Sequence, residues 1–303
     1  MRRLLAIPVL ALVLLGAKCE PPPPAPDCTP TGSTAHRNLR YAASAGTTAN
    51  LQSLDLYLPI REEGCAPVPL VTYVHGGGFV SGDKANQITD KVQLFTGEGW
   101  AFASLNYRLV GHTGAGPTNG VYPAAEHDIG AALAYLVEHA TTYDLDPDNV
   151  MVIGHSAGAF LVALTSTDPT FVVEAGLDLD DITCAAPLDT TYDIAQQIAS
   201  GGNAELMFRN AFGDDPAVWA QASPPNNVAA GIGIPDFHIV TRGTAGRVAQ
   251  SQAFGATLRT AGIDATVQIA AGLSHEQVNA AVGKAGDTVI TPPLMSFFRD
   301  CVR

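Results

Sequence analysis

Short apolar runs recur along the chain from about Leu39 onward, and helical patterns separate most of them. The first two runs, NLRYAAS and LQSLDLYLP, predict an antiparallel hairpin, because apolar and polar positions alternate in the second. Later runs of the same kind are VPLVTYVH, WAFASLNY, NVMVIG, ITCAAP, DFHIVT and DATVQIA. Alternating strand and helix units are typical of an α/β sheet whose later strands run parallel. The pattern predicts about eight strands in one mostly parallel sheet with helices on both faces.

The clearest predicted helix is YPAAEHDIGAALAYLVEHA, in which Pro123 suits the first helical position. One face of it carries Ile129, Leu133, Leu136 and Val137. Another helix is predicted over Val248–Thr260, with Gly262 as its C-terminal stop. The stretch from Leu188 to Ile234 lacks regular periodicity and contains GGN, GDDP and SPPNN, so it predicts a small irregular cap insertion over the sheet.

The N-terminus has the pattern of an export signal. Two arginines precede an apolar stretch from Leu4 to Gly16, which is too short for a comfortable membrane span. We therefore expect residues 1–19 to be a signal peptide and the mature protein to lie outside the cytoplasm, secreted, periplasmic or at the cell surface, with no transmembrane span. Ordinary signal cleavage near Ala17 or Cys19 is the favoured processing route. Lipidation at Cys19 stays open, although Lys18 stands where a lipoprotein has a small residue.

Composition favours one catalytic-size domain after this leader. Residues 20–34 are rich in proline and predict a stiff linker, which leaves 35–303 as the folded domain. The chain has 303 residues, 47% of them hydrophobic, and a net charge of −13. Such a negative charge repels nucleic acid and anionic membrane surfaces, so neither is expected as a partner.

Four cysteines remain after the leader: Cys28, Cys65, Cys184 and Cys301. In an oxidising compartment an even number without CxxC clustering favours two disulfides over a metal site. Three pairings are open. The prediction is Cys28 with Cys65 and Cys184 with Cys301, because these pairs are close in sequence or anchor a chain end.

The stretch NVMVIGHSAGAFLVAL places Ser156 between an apolar strand and an apolar helix, in the pattern Gly-x-Ser-x-Gly. Gly154 and Gly158 allow a turn so sharp that larger side chains would collide, and the strained turn presents the serine hydroxyl at the strand's end. A chance match in a glycine-rich loop is the alternative. A strand before and a helix after the motif favour a nucleophilic serine.

A second motif, VTYVHGGGFVSGDK, puts three glycines directly after a strand. Backbone N–H groups that turn inward there would stabilise an oxyanion during acyl transfer. We predict Gly77 and Gly78 as the donors, with the Ala157 amide as the third. A phosphate-binding loop is disfavoured because no GK[ST] ending follows. His75 is predicted to brace the loop, and His155 to be held in the turn beside Ser156.

The segments HGGGFVSGD, NYRL, YPAAEHDIGAALAYL, DPDNVMVIGHSAGA and GLSHEQVN resemble the α/β-hydrolase superfamily. Within it they are similar to the esterase group that contains hormone-sensitive-lipase-like carboxylesterases and feruloyl or acetyl xylan esterases. The resemblance runs from the first hairpin to the end of the chain. It implies the α/β-hydrolase fold, a serine nucleophile, an oxyanion hole before it, and an acid and a histidine after it.

The general base is predicted to be His275, in the loop after the last strand. The family pattern expects the acid in the loop after the preceding strand, where Gly246 stands instead. Asp189, after an earlier strand, is the predicted substitute, with Asp193 as second choice. A turn-forming or helix-capping role for Asp189 stays open, as does a Ser156–His275 dyad without an acid.

These residues predict a serine esterase that acts through an acyl-enzyme and needs no metal or organic cofactor. Its expected substrates are small-molecule or carbohydrate-linked esters with short acyl groups. Two alternatives stay open: an amide hydrolase (a peptidase or formamidase) on the same fold, and a non-catalytic binding protein in which Gly246 marks the loss of activity.

Overall fold

The sheet of the protein is seen in a computed structural model that describes residues 26–111 and 120–302. Within that part of the chain eight strands form one sheet in the order β1-β2-β4-β3-β5-β6-β7-β8. The strands are β1 Gly32–Arg40, β2 Ser53–Ile60, β3 Val68–Val74, β4 Ala101–Leu105, β5 Leu145–His155, β6 Ile182–Leu188, β7 Asp236–Thr241 and β8 Ala265–Ile269. The first pair is an antiparallel hairpin, β2 is antiparallel to β4, and β3 to β8 are parallel. The predicted fold class is confirmed.

Helices cover both faces of this sheet. In the described residues they are α1 Thr89–Gly97, α2 Ala124–Glu138, α3 Ala140–Tyr143, α4 Ala157–Thr165, α5 Thr170–Val173, α6 Ile194–Ala199, α7 Gly202–Phe212, α8 Pro216–Gln221, α9 Ala245–Thr260, α10 His275–Ala281 and α11 Thr291–Cys301. Successive residues of β5 point to opposite faces, so Val152 joins one hydrophobic core and Ile153 the other. Helices α2, α4 and α9 pack in the first core, and α1, α10 and α11 pack in the second.

Parallel strands must be joined by crossover helices, and these crossovers carry all the parallel strand ends to one edge of the sheet. The carboxyl ends of β3, β5 and β6 are neighbours there, because β5 pairs with both other strands. Loops that follow these strands therefore converge on one rim.

The predicted helices occur with small shifts in their ends. Helix α2 begins one residue after Pro123, and its residues Ile129, Leu133 and Leu136 are buried, whereas Val137 is only half-buried. Helix α9 begins three residues before Val248 and ends, as predicted, before Gly262.

Residues 188–234 form the predicted insertion between β6 and β7, but the prediction that this insertion is irregular is wrong. Helices α6, α7 and α8 occupy much of this stretch. Two of them have only six residues each, which is too short to display a helical period. In α7 the buried residues Phe208, Ala211 and Phe212 follow helical spacing. The glycines at both ends of this helix are typical of loops, so the segment was not predicted to be helical.

Both predicted disulfides are confirmed. Cys28 and Cys65, with Cα atoms 5.8 Å apart, tie the segment before β1 to the loop between β2 and β3. Cys184 and Cys301, 6.3 Å apart between Cα atoms, tie central strand β6 to the end of α11.

The predicted signal peptide, residues 1–19, and the lipidation site Cys19 lie outside the described residues. The predicted linker, residues 20–34, overlaps β1, which begins at Gly32. None of the described helices combines the length and the apolar character that crossing a bilayer demands.

Candidate active site

Ser156 lies on a strained turn between strand β5 and helix α4. Its φ is 56° and its ψ is −120°, a conformation that non-glycine residues seldom adopt. A Cβ at Gly154 would lie 2.4 Å from the Gly158 carbonyl oxygen, and one at Gly158 would lie 2.2 Å from the Val74 carbonyl oxygen. Both glycines of the motif are therefore required by close backbone contacts. The turn presents the Ser156 side chain at the carboxyl edge of the sheet.

The glycine loop after β3 lies directly against this serine. A Cβ on Gly76 would come within 3.0 Å of the Ser156 Cβ atom. Gly77 has a φ of +125°, and a Cβ there would lie 1.9 Å from the Ser81 carbonyl oxygen, so no other residue fits. Gly77, Gly78 and Ser156 line one cavity of about 530 Å³. The structure thus brings two of the predicted oxyanion donors to the serine.

The third predicted donor, Ala157, begins helix α4 immediately after Ser156 and is buried. It lines a second cavity of about 300 Å³, which Ser156 and His275 also line. The two cavities therefore meet at the serine and the histidine.

His75 braces the glycine loop, as predicted. Its Nδ1 atom is 2.7 Å from the Gly76 carbonyl oxygen, and its ring stacks on Tyr107 at 4.5 Å between centroids. The Tyr107 hydroxyl donates to the His75 carbonyl oxygen at 2.9 Å. Burial is the main influence on the pKa of His75 and lowers it, which favours a neutral structural side chain.

His275 begins helix α10 and contacts Asp189. Its Nδ1 atom lies 2.6 Å from Asp189 Oδ2, the geometry of an Nδ1–H donor to a carboxylate. The N-cap residue Ser274 fixes the start of this helix through reciprocal bonds with Gln277. The opposite side of the imidazole, Nε2, is thus left for another partner. The structure places the predicted base and the predicted acid together, in a cavity that Ser156 shares.

Asp189 occupies a fully buried position directly after β6. Its side chain is 0% exposed, and its φ of 53° is a left-handed value that aspartate tolerates better than most residues. The Asp189 N–H donates to the Val240 carbonyl oxygen at 2.7 Å, which anchors the turn to β7.

Two arginines that sequence reasoning missed bind Asp189. Arg242 Nε lies 2.6 Å from Asp189 Oδ2, and Arg247 Nη2 lies 2.8 Å from Asp189 Oδ1. Burial alone would raise the pKa of Asp189, but the His275 hydrogen bond and the two guanidinium groups outweigh it and hold the pKa well below its usual value. The carboxylate is therefore ionised throughout the neutral and mildly acidic range.

Both arginines follow β7, where the family pattern expects the acid: Arg242 lies in the loop directly after the strand, and Arg247 lies in the first turn of α9. Gly246 lies in the first turn of α9, and no carboxylate occurs in the segment from Ile239 to Phe254. The segment that lacks the acid instead supplies two cations to Asp189, which follows the neighbouring strand β6. The available signal was the pair of arginines in a segment without any acidic residue.

The other candidate acids lie elsewhere. Asp193 caps helix α6 by accepting from the Gln196 N–H at 2.9 Å, and it is exposed. Asp236 begins β7 and Asp264 precedes β8, so both lie at the opposite edge of the parallel strands, as predicted.

His155 supports His275 from the side of β5. Its Nε2 donates to the His275 carbonyl oxygen at 3.0 Å, and the two rings lie 4.5 Å apart between centroids. Burial, followed by the neighbouring His275, lowers the pKa of His155 to about 4, so it is neutral near pH 7. The sequence predicted that His155 is held in the turn but not that it contacts His275.

No group of three or more potential metal-ligating side chains occurs among residues 26–111 and 120–302. The chemistry that this site offers is that of a serine hydroxyl, an imidazole with a bound carboxylate, and a glycine loop that lines the same cavity as the serine.

Comparisons with known proteins agree with this architecture. The family model described as BD-FAE matches residues 54–194. Esterase LipQ of Mycobacterium tuberculosis is 29% identical over 251 residues, which cover 76% of this chain but only 56% of LipQ. The chain therefore spans little more than half the length of that relative.

Solved structures show the same fold. Esterase B from Lactobacillus rhamnosis superposes with a TM-score of 0.71 at 20% identity, over 90% of this chain and 87% of the esterase. A truncated carbohydrate esterase from gut microbiota gives a TM-score of 0.70, also at 20% identity, over 90% of this chain and 97% of that one.

Proposed function

We propose that this chain, a member of the α/β-hydrolase superfamily that is similar to its esterases, is a serine carboxylic-ester hydrolase that acts through an acyl-enzyme. The observation that carries this proposal is the 2.6 Å contact between His275 and the buried Asp189, in a cavity that Ser156 also lines. Nucleophile, acid and base follow one another along the chain as Ser156, Asp189 and His275, which is the order that the superfamily uses.

The first half of the reaction transfers the acyl group to the enzyme. His275 Nε2 takes the proton of the Ser156 hydroxyl while the serine oxygen attacks the ester carbonyl carbon. The N–H groups of Gly77, Gly78 and Ala157 donate to the oxyanion that forms. When the intermediate collapses, the bond to the alcohol oxygen breaks, and His275 returns the proton to that oxygen.

The second half releases the acid. A water molecule gives a proton to His275 and attacks the acyl-enzyme, and the same N–H groups stabilise the second oxyanion. Collapse frees Ser156, which regains its proton, and the carboxylic acid departs. None of these steps calls for a metal ion or an organic cofactor.

Asp189 supports both halves by holding the imidazole and stabilising its charged form. Its low pKa keeps it negative whenever His275 becomes positive. His155 contributes by holding the His275 backbone through the bond to its carbonyl oxygen.

Short-chain or carbohydrate-linked esters are the proposed substrates. Of the two cavities that meet at Ser156, the smaller is about 300 Å³, at the lower end of the range for small-molecule sites, which favours a small bound group on that side. The name of one structural neighbour, a carbohydrate esterase, fits the second substrate class. We also propose that the protein is exported, because two disulfides form in oxidising compartments.

The test is hydrolysis of 4-nitrophenyl acetate and butyrate by the wild type, Ser156→Ala and Ser200→Ala. Ser200 is an exposed serine at the end of α6 and serves as the matched control. We expect Ser156→Ala to lose turnover by at least about 10⁴-fold and Ser200→Ala to retain it. Turnover by Ser156→Ala at the wild-type rate would refute the mechanism.

The same proteins assayed on 4-nitroanilides separate an esterase from an amide hydrolase. A higher kcat/KM on the anilides would favour the peptidase or formamidase alternative. No turnover of either substrate class by the folded wild type would favour the non-catalytic binding protein.

A further inference from the structure

Arg242 and Arg247 together carry one more positive charge than the carboxylate of Asp189 that they bind. No other carboxylate forms an ion pair with either arginine in the described part of the chain. We infer that these two arginines form a carboxylate-binding subsite beside Ser156, so that the preferred substrate is an ester that also carries a free carboxylate. This inference rests on the proposed esterase function and narrows its substrate class.

The arginines have unused hydrogen-bonding capacity. A guanidinium group has five N–H donors, and Arg242 directs only its Nε–H to Asp189. Among the described residues its two Nη groups have no protein acceptor. Arg247 uses Nη2 for the Asp189 side chain and carbonyl oxygen, and its buried Nε lacks a partner. The Arg247 Nε is shielded from solvent, so the donors that a ligand oxygen can reach are the Nη groups of Arg242.

Both guanidinium groups reach the cavity in which the reaction would occur. They line the cavity of about 300 Å³ together with Ser156 and His275, and their side chains stay 25% and 30% exposed. Thr190, Thr191 and Gln197 add polar groups to the same wall, whereas Phe79 and Phe208 are apolar. A ligand with a short apolar part and a charged end matches this lining.

Local and overall charge have opposite signs here. The whole chain has a net charge of −13, which would repel an anionic substrate at long range. Within the cavity the two guanidinium groups reverse that sign. Because arginine binds carboxylates through paired N–H groups, it discriminates by geometry as well as by charge.

A purely structural role for the arginines makes a different prediction. If they only hold Asp189, their loss would slow the hydrolysis of charged and neutral esters by the same factor. If they also bind substrate, their loss would reduce the preference for the charged ester. The ratio of kcat/KM for a charged and a neutral ester of the same shape therefore separates the two roles.

The experiment uses two matched pairs, because the carboxylate could lie on either side of the ester bond. Monomethyl succinate and methyl succinamate test for a carboxylate on the acyl side of the ester, and their hydrolysis is monitored by titrating the acid released. The acetate esters of 4-hydroxybenzoate and 4-hydroxybenzamide test for a carboxylate on the alcohol side, and their hydrolysis is monitored by absorbance. In at least one pair the wild-type kcat/KM should be roughly tenfold to hundredfold higher for the ester with the carboxylate, which is the range for a hydrogen bond to a charged group. Added NaCl should reduce that preference.

Arg242→Gln should abolish the preference, and Arg242→Lys should restore part of it. Arg40→Gln, an exposed arginine on β1, makes the same change in net charge away from the cavity and should leave the ratio unchanged. If Arg242→Gln is inactive, binding of monomethyl succinate to Ser156→Ala, with and without Arg242→Gln, provides the readout by calorimetry.

Equal kcat/KM values in both wild-type pairs would overturn the subsite while Ser156-dependent hydrolysis still supports the esterase. A preference that survives Arg242→Gln would also overturn it. Hydrolysis that persists in Ser156→Ala would instead overturn the proposed function itself.

Discussion

Replacing Asp189 with asparagine tests the electrostatics of the site most directly. The substitution removes the carboxylate charge that His275, Arg242 and Arg247 contact. Asparagine has nearly the same volume and tolerates the left-handed φ of 53°, so the backbone turn should persist. The change is therefore mainly one of charge and hydrogen bonding.

Two effects determine the size of the loss. The first is the orientation of His275, for which the comparable change in a serine protease costs about 10⁴-fold in kcat, or about 5 kcal/mol in the activation free energy. The second is repulsion between the arginines and the imidazolium. His275 Nδ1 and Arg242 Nε each lie 2.6 Å from the same oxygen, so they are within about 5 Å of each other. At an effective dielectric constant of about 20, that repulsion is about 3 kcal/mol before screening.

We expect Asp189→Asn to reduce kcat/KM on 4-nitrophenyl butyrate by at least about 10⁴-fold. The free energy of unfolding in urea should fall by about 3 kcal/mol, because the partly buried guanidinium groups lose their partner. Asp193→Asn is the matched control. Asparagine caps a helix as well as aspartate does, so this variant should keep both activity and stability.

Activity of Asp189→Asn within tenfold of the wild type would refute the reasoning and leave a Ser156–His275 dyad as the working unit. The repulsion has its own check. Adding Arg242→Gln to Asp189→Asn should recover about tenfold in kcat/KM, because it removes one uncompensated cation. A double variant slower than Asp189→Asn would show that repulsion is not part of the loss.

The remaining predictions concern support of the site and stability. His155→Ala removes the donor to the His275 carbonyl oxygen, so kcat should fall about fivefold to tenfold, and unchanged steady-state kinetics would contradict this. Replacing Cys184 and Cys301 with alanine opens a loop of 117 residues and should lower the free energy of unfolding in urea by about 4 to 5 kcal/mol. If this loss is smaller than the loss from removing the Cys28–Cys65 disulfide, which closes a loop of 37 residues, loop-closure entropy is not its cause. Burial raises the pKa of Glu126 to about 8 from 4.5, so the folded state binds a proton that the unfolded state releases. Stability should therefore fall by up to about 5 kcal/mol as pH rises from 4.5 to 8, and Glu126→Gln should remove that slope in urea titrations.

The sheet and the nucleophile could be predicted from local patterns. Short apolar runs predict the strands. The turn at Ser156 requires glycine at fixed positions because backbone atoms come very close there. The same holds for the glycine loop that begins at Gly76. Cysteine spacing also predicted both disulfides, although only the folded chain selects one pairing of three.

Short helices in the insertion escaped prediction for a physical reason. Helices α6 and α8 are each less than two turns long, so their existence depends on packing rather than on their own periodicity. Helix α7 was not predicted because the glycines at its ends are typical of loops, although Phe208 and Phe212 lie on one face and are buried.

Local sequence patterns identify the residue types that carry chemistry and the strand ends that they follow, since glycine requirements and apolar periods act over a few neighbouring residues. The sharing of charge among the loops depends on the three-dimensional fold. Asp189, Arg242 and His275 are separated by dozens of residues, and their contacts arise because β6, β7 and β8 are adjacent and parallel. An ion pair depends on distance in space, which no local pattern encodes, and so the arginines that replace the expected acid became visible only in the fold.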